Sequence, residues 1–548
     1  MAVTWPQVDT PTGDARSPQD GALGANPAAE AFGEWMRTCA EAGWVAAIGV
    51  ELVGVTEAYG RVTADPVRAL WSVPAYPAAA MDGIAVRAAG TSTATPQRPL
   101  RLAPGEYDLI DTGQEIPDGY DAVIMREHLR HLDDGWVEID NFVVPGRHVR
   151  PIGEDIQAGR FLLPAGHRIR PLDVAALAGA GHHNVQVRRR PVVAILPTGD
   201  EVRPMGTVLA AGEVLDTNSL MLAGMAEEAG GAAVALSITP DRPDEIAIAV
   251  AQAASRADVV LVIAGSSAGR GDHTAAVVRR LGLIAVHGVA IRPGHPVLLG
   301  VLSGERPVPV VGVPGYPASA ERAFTCFVLP LLRRLLATAD SAWEYPVSAR
   351  LACAINSPGH LDEYLRLRLA RVLDPRTGRD ALVASPLRRG AGALSSMVHT
   401  EALLRIPIGT TGFAAGAQVR PVPVVGAACH AATTIVSGLR SPAMDALIEQ
   451  CHHELPHRLV QWIECSAREA SEALATGLCH AAALALDDAG SATAPDPLAA
   501  PDPLAAIAAQ VGDLAVLDIA RAGSTREVLV VPALAGDNPA IAMLRTLI

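Results

Sequence analysis

The chain has 548 residues and a net charge of −14, with half its residues hydrophobic and only 4% aromatic. Domains usually hold roughly 100–200 residues, so this length excludes a single core. The acidic balance argues against broad nucleic-acid binding, which needs a basic face, but a local pocket can still take an anionic small substrate.

Residues 1–30 read as a disordered tail, too poor in apolar side chains to repay ordering. They lack a basic stretch ahead of an apolar core, so no signal peptide is expected. No run reaches the roughly 18 apolar residues of a membrane span. Seven scattered cysteines without a Cys-x-x-Cys pair fit reduced thiols, so a cytoplasmic location is expected.

A helix is expected near 31–42. Residues 31–90 and 145–188 read as an N-terminal linker domain, with a second helix beginning near Pro171. Between them, Gly113, Pro117-Asp-Gly119 and Asp133-Asp-Gly135 punctuate short segments, which suggests an inserted β lobe over 91–144. From 189 to 338, short β-branched runs at 192–196, 234–238, 258–263 and 308–313 alternate with helical stretches. That alternation predicts a doubly wound, mostly parallel sheet. Residues 339–423 return to short strands and predict a small β-barrel. From 424 to 548 the alternation resumes as an α/β lobe, with a capping box at Ser466-Ala-Arg-Glu469 and a tandem Pro-Asp-Pro-Leu-Ala-Ala at 495–506 that reads as a linker. The expected fold is thus multidomain α/β with β-rich accessory domains.

Open parallel sheets bind ligands beyond the carboxyl ends of their strands. Three Gly- or Ser-rich loops hold such positions: Thr198-Gly-Asp-Glu201, the segment 264–272, and Pro314-Gly-Tyr-Pro-Ala-Ser319. Glycines admit a ligand close to the backbone, and free N–H groups there attract anions. Asp200, Glu201 and Asp272 can be helix caps or ligands of Mg²⁺, which favours one or two carboxylates with phosphate oxygens and water. Arg292 can be a surface residue or a bidentate oxyanion ligand. Cys451, His452, His453 and His457 match no standard zinc spacing and read as core thiol and surface imidazoles.

The order of ten motifs is more specific. Ala80-Met-Asp-Gly-Ile-Ala85, Asp111-Thr-Gly-Gln-Glu-Ile-Pro117, Asp121-Ala-Val-Ile-Met-Arg-Glu127, Gly153-Glu-Asp-Ile156, Thr198-Gly-Asp-Glu201, Asp216-Thr-Asn218, Gly269-Arg-Gly-Asp272, Arg292-Pro-Gly-His-Pro296, Pro314-Gly-Tyr-Pro-Ala-Ser319 and Gly392-Ala-Leu-Ser-Ser396 follow one another. In this order they resemble the molybdopterin molybdenumtransferase family, which includes the E domain of gephyrin, over about residues 30–422. The resemblance implies that molybdenum from molybdate enters adenylylated molybdopterin, with Mg²⁺ assisting and AMP leaving. It also implies a homodimer whose site lies between the α/β domain of one subunit and the Met-Asp-Gly lobe of the other. Asp82, Asp155, Glu201, Asp272, Arg292 and His295 are the implied catalytic residues, with Glu201 and Asp272 on the metal. Thr112, Thr198, Gly199, Gly265, Ser267, Gly269, Pro314, Gly315, Pro317 and Ser319 are the implied contacts of the pterin substrate. Partners beyond the small-molecule substrates would be molybdoenzymes or proteins of the cofactor pathway, with no nucleic acid and no membrane.

The chain departs from that pattern at five places. Arg292 and His295 stand for lysines, with Arg292 keeping the charge, Tyr316 stands for an asparagine and Ala275 for a lysine, and the 264–269 loop has one glycine fewer. Two readings follow, an active insertase or an impaired relative that binds, delivers or scaffolds the pterin. Residues 424–548 resemble one lobe of a periplasmic-type solute-binding domain, truncated so that no complete cleft is expected. A third reading, molybdate sensing through that module, needs the missing lobe.

Overall fold

The computed structural model describes residues 27–263, 273–338, 346–375, 377–390, 392, 394–424, 433–454, 459–486, 508, 514–522 and 525–532. The segment 264–272, which carries Gly265, Ser267, Gly269 and Asp272, the repeat at 495–506 and His457 lie outside them. No helix among the described residues is long and apolar enough to cross a membrane.

Helix α1 (Ala28–Glu41) buries Ala31, Trp35, Met36 and Cys39, one stripe at helical spacing. The sequence grouped this helix with residues 31–90. Its stripe packs instead on the central α/β core, and the Trp35 indole N–H donates to Gly300 O at 2.7 Å. A stripe predicts burial but not the surface that receives it.

Strand β1 (Val50–Gly54) begins the N-terminal part. The inserted lobe holds two three-stranded antiparallel sheets, one of Leu100–Leu102, Val137–Ile139 and Arg130–His131 and one of β2 (Gly83–Val86), β3 (Tyr107–Ile110) and β4 (Ala122–Met125) in the order β3-β2-β4, whose central strand comes from before the expected start at 91. Gly83 is required there, because a Cβ would stand 1.9 Å from Ile124 O. Helix α2 (Pro171–Gly179) and strand β5 (Asn184–Arg188) follow, and β5 pairs antiparallel with β1.

The central domain runs in chain order through β6 (Val192–Pro197), α3 (Asn218–Glu228), β7 (Ala232–Ala235), α4 (Pro243–Ala254), β8 (Val259–Ile263), α5 (His273–Leu281), β9 (Gly282–His287), β10 (Ile291–Arg292), β11 (Leu298–Leu302), β12 (Val308–Val313), α6 (Pro317–Ala323) and α7 (Leu329–Leu336). Its sheet has the order β7-β6-β8-β12-β11-β9. The first four strands pair parallel, and β11 joins β12 on one side and β9 on the other in antiparallel pairs. Helices α1, α3, α6 and α7 cover one face, and α4 and α5 the other. The runs are apolar throughout because both faces are buried. Ala275, where the resemblance expects lysine, is packed in the α4–α5 core, so no gap in the ligand crevice can be assigned to it.

Asp258 fastens the amino ends of this sheet. Its carboxylate accepts from Arg189 at 3.0 Å, Arg306 at 2.7 Å and the Val192 amide at 2.7 Å.

The next domain contains β13 (Ala349–Leu351), β14 (Asp362–Asp374), β15 (Arg379–Pro386), α8 (Leu394–Val398), β16 (Ala402–Ile406), β17 (Gln418–Val419) and β18 (Val422–Pro423). The order is β17-β13-β15-β14-β16-β18, and β10 of the central domain adds to β14. Among the described residues the path of seven strands does not close on itself, so the expected small barrel is not seen as a closed sheet. Short alternating segments fit either form, and only the pairing of the outer strands decides between them.

The C-terminal lobe carries β19 (Thr433–Gly438), α9 (Pro442–Glu454), β20 (Leu459–Glu464), α10 (Ala467–Ala475), β21 (Ala481–Leu486), β22 (Leu514–Ala522) and β23 (Thr525–Pro532), in the order β20-β19-β21-β23-β22. Ser466 caps α10 reciprocally with Glu469. The lobe is not an appendage. Ala370 and Val372 of β14 share one core with Ile435, Ala470, Leu474 and Ala482. Cys451 is buried in the core under α9. Among the described residues no three His, Cys, Asp or Glu side chains are grouped to hold a metal.

Candidate functional site

At the carboxyl ends of the parallel strands, four segments meet. Thr198 follows β6, its N–H donates to Ile263 O at 3.1 Å, and its residue bridges Thr239. Expected as a substrate contact, Thr198 is 1% exposed, and its hydroxyl donates to Ile263 O at 3.0 Å. That side chain serves the loop rather than a ligand. Gly199 has φ +140°, and a Cβ there would press on Val202 and the Glu201 carboxylate. Only glycine therefore fits this turn.

The turn sets Asp200 and Glu201 beside Asp241, whose amide donates to Asp200 Oδ1 at 3.3 Å. Burial pushes the Asp241 carboxyl above its usual range, and the charges of Glu201 and Asp200 push it further, with His273 opposing. Asp200, Glu201 and Asp241 therefore feel one another's charge, although the described residues alone bring no three acids close enough to hold a metal. Asp241 was not singled out in the sequence, where a lone acid after Pro240 belongs to no motif.

Across the crevice, the loop after β12 is held by Asn218, whose amide nitrogen donates to Gly315 O at 2.7 Å. Its Oδ1 is buried without a partner among the described residues. Pro314 and Ser319 are buried, while Gly315 and Tyr316 are exposed. Pro317 opens α6 at its first turn. The Tyr316 ring lies over Gly392, where a Cβ would meet it at 3.5 Å. The loop after β12 thereby reaches the segment before α8.

At that junction stands Arg366 of β14, only 8% exposed. Its Nε donates to Ser396 Oγ at 3.0 Å and its Nη2 to Gly390 O at 3.0 Å. In the alternation Leu365-Arg-Leu-Arg-Leu369, arginines read as a solvated sheet face, which is why the sequence did not mark this one. Burial lowers its pKa.

Arg292 is exposed on β10, in register with Glu363 of β14. His295 follows on the next turn, and its Nδ1 lies 2.7 Å from Val289 O. A carbonyl only accepts, so Nδ1 carries the proton. In the neutral ring Nε2 then has a lone pair, and only the imidazolium can donate to an oxyanion there.

The remaining expected residues form a second group, on the inserted lobe and its neighbouring loop. Asp82 Oδ1 accepts from the Thr112 amide at 2.8 Å and the Thr112 hydroxyl at 2.7 Å. These two bonds hold its carboxyl below the usual range. A cavity of about 200 Å³ lies alongside, lined by Gly83, Ile110, Asp111, Arg126 and His131 among others. Asp155 is exposed, and its amide is tied to Val73 O, at the start of the loop that ends on Asp82. Among the described residues, no hydrogen bond or ion pair joins this group to Glu201, Asp241 or Arg366.

Comparison with known proteins gives three family matches in tandem. Residues 29–181 match the MoeA N-terminal region (domain I and II), 194–334 a probable molybdopterin binding domain, and 348–424 the MoeA C-terminal region (domain IV). A molybdopterin molybdenumtransferase of Nostoc sp. is 30% identical over 387 residues, 67% of this chain and 87% of that protein. Molybdopterin molybdenumtransferase 2 of Mycobacterium tuberculosis is 31% identical over 402 residues, covering 67% and 93%. Among solved structures, a molybdopterin biosynthesis moeA protein of Pyrococcus horikoshii aligns with a TM-score of 0.62 at 30% identity, covering 74% of this chain and all of that one.

Proposed function

Because the chain belongs to the molybdopterin molybdenumtransferase family, we propose that it inserts molybdenum from molybdate into adenylylated molybdopterin and releases AMP. It is an enzyme of molybdenum cofactor biosynthesis. The observation that carries the residue-level reading is the carboxylate crevice of Asp200, Glu201 and Asp241 beside a loop system that ends at a buried arginine.

In this reading Glu201 and Asp241, with Asp272 from the neighbouring loop, hold Mg²⁺. The bound ion would neutralise the pyrophosphate and polarise the phosphorus that loses AMP. Gly199, Gly265, Ser267 and Gly269, with Pro314, Gly315, Pro317 and Ser319, cradle the phosphorylated pterin. Their free N–H groups and small side chains let the backbone approach an anion. Arg366, Arg292 and His295 supply positive charge for the molybdate oxygens. Asp82, held by Thr112, and Asp155 complete the site from the partner subunit of a homodimer. Val50 and Leu52 on β1 are 54% and 64% exposed, apolar surface that a second copy would cover.

The test supplies purified protein with adenylylated molybdopterin, molybdate and Mg²⁺, and follows AMP. Release that requires all three is expected. Tight pterin binding with no AMP would favour a delivery role instead.

His295 gives a second check. A lysine ammonium there would donate to an oxyanion, which the neutral imidazole cannot do through Nε2. A hydrogen bond to a charged group is worth about 1.5–3 kcal/mol, so His295→Lys should raise turnover about tenfold at pH 8. An unchanged rate would remove His295 from the oxyanion site.

A further inference from the structure

Two residues beyond Arg366, on the same face of β14, lies Arg368, 4% exposed. Its Nε and Nη2 are buried with no hydrogen-bond partner among the described residues. These two nitrogens form the side-on edge of the guanidinium, the fork that grips two oxygens of one anion. Directly across the ladder is Ser385 of β15. Its Oγ is likewise buried and unpartnered. Opposed residues of an antiparallel pair stand about 5 Å apart at Cβ, so the three unused donors belong to neighbouring side chains on one face of the sheet.

Glu401 acts on this charge only at a distance, and burial outweighs it. Glu401 already accepts the Leu369 amide at 2.7 Å, and Arg368 makes no hydrogen bond to it. The other groups that act here are cationic or neutral. His399 is exposed, and its pKa is lowered by burial, then by Arg368 and by His452 of α9. His452 accepts the Val460 amide through Nε2 at 3.3 Å, so its other ring nitrogen is the one able to donate. Leaving a buried charge unpaired is costly, and fixed donors without acceptors mark where an acceptor belongs.

We propose that the seam between the 346–424 domain and the C-terminal lobe holds a small tetrahedral oxyanion on Arg368 and Ser385, with His399 and His452 at its mouth. The C-terminal lobe has a function in this assignment. It contributes α9 to the seam and, through the shared core around Ala370 and Val372, keeps Arg368 out of water. The site is separate from Arg366, whose Nε and Nη2 are already bonded, and it stands whether or not the insertase reading does.

The experiment uses the full chain, dialysed free of oxyanions and titrated separately with molybdate, tungstate, sulfate and phosphate by calorimetry and thermal unfolding. Wild type is compared with Arg368→Met and Arg366→Met. The expected result is a saturable site for at least one of these anions that weakens ten-fold or more in Arg368→Met and persists in Arg366→Met, which removes only the molybdate contact assigned to the insertase site. Without anion, Arg368→Met should melt no lower than wild type, because it removes an unpaired charge. The anion should raise the melting temperature of wild type and not of Arg368→Met. Which anion binds most tightly identifies the physiological class. No binding to wild type, or equal binding to wild type and Arg368→Met, would overturn the proposal. So would an anion-free Arg368→Met that melts several degrees lower, because the guanidinium would then be paired in the folded protein.

Discussion

Glu201→Gln should lower the rate of AMP release by about 10²–10³-fold, the usual cost of losing one preorganised electrostatic group at a reacting centre. The amide keeps the shape of the side chain and removes one negative charge from the crevice it shares with Asp200 and Asp241. Binding of the pterin through the loops after β8 and β12 should change much less. The variant therefore separates kcat from KM, and the Mg²⁺ concentration needed for half-maximal rate should rise. The Asp241 carboxyl, held up partly by Glu201, should titrate closer to its ordinary value. If the rate is unchanged at every Mg²⁺ concentration, Glu201 is not part of the metal crevice.

The second large effect is on stability. Asp258 is 7% exposed and accepts from two arginines and one backbone amide. Burial alone would raise its pKa, but Arg189, the Val192 amide and Arg306 together hold it below the usual carboxylate range. Asp258→Ala leaves the Val192 N–H without an acceptor, while the half-exposed guanidiniums can turn to water. The loss should therefore be about 3 kcal/mol, below the full cost of a stranded buried ion. Denaturant unfolding of the central domain measures it. A carboxyl with a depressed pKa contributes its stability above the unfolded value and loses it as pH falls through the folded one. Wild type should thus weaken below about pH 4, and Asp258→Asn should show a flatter acid limb. A variant as stable as wild type at pH 7 would mean that the three donors are satisfied without Asp258.

Strands β6, β8 and β12 were legible because each is a short Val- and Ile-rich run with both faces buried, ended by a Gly- or Pro-containing loop, whereas β11 (Leu298–Leu302) was not marked. The run at 308–313 coincides with β12. The strand expected at 234–238 lies at Ala232–Ala235, since alanines carry little strand signal. The Asp82–Thr112 pair joins two motifs that the sequence placed 30 residues apart, and its geometry needed the β2–β3 pairing. Arg366 and Arg368 stayed hidden because alternation shows which residues share a face, not whether another domain covers that face. The same gap explains α1 and the C-terminal lobe, whose stripes were visible while their receiving surfaces were not. The 264–272 loop was marked in the sequence, and its geometry lies outside the described residues.

One mixing experiment reaches the core of this account. Asp82→Asn and Glu201→Gln chains, each nearly inactive alone, are unfolded, combined and refolded so that mixed pairs form. If the site draws Asp82 from one subunit and Glu201 from the other, each mixed pair regains one intact site, and AMP release should return to roughly a quarter of the wild-type rate. If both residues act within one chain, every site in the mixture stays defective and the rate remains at the level of the single variants.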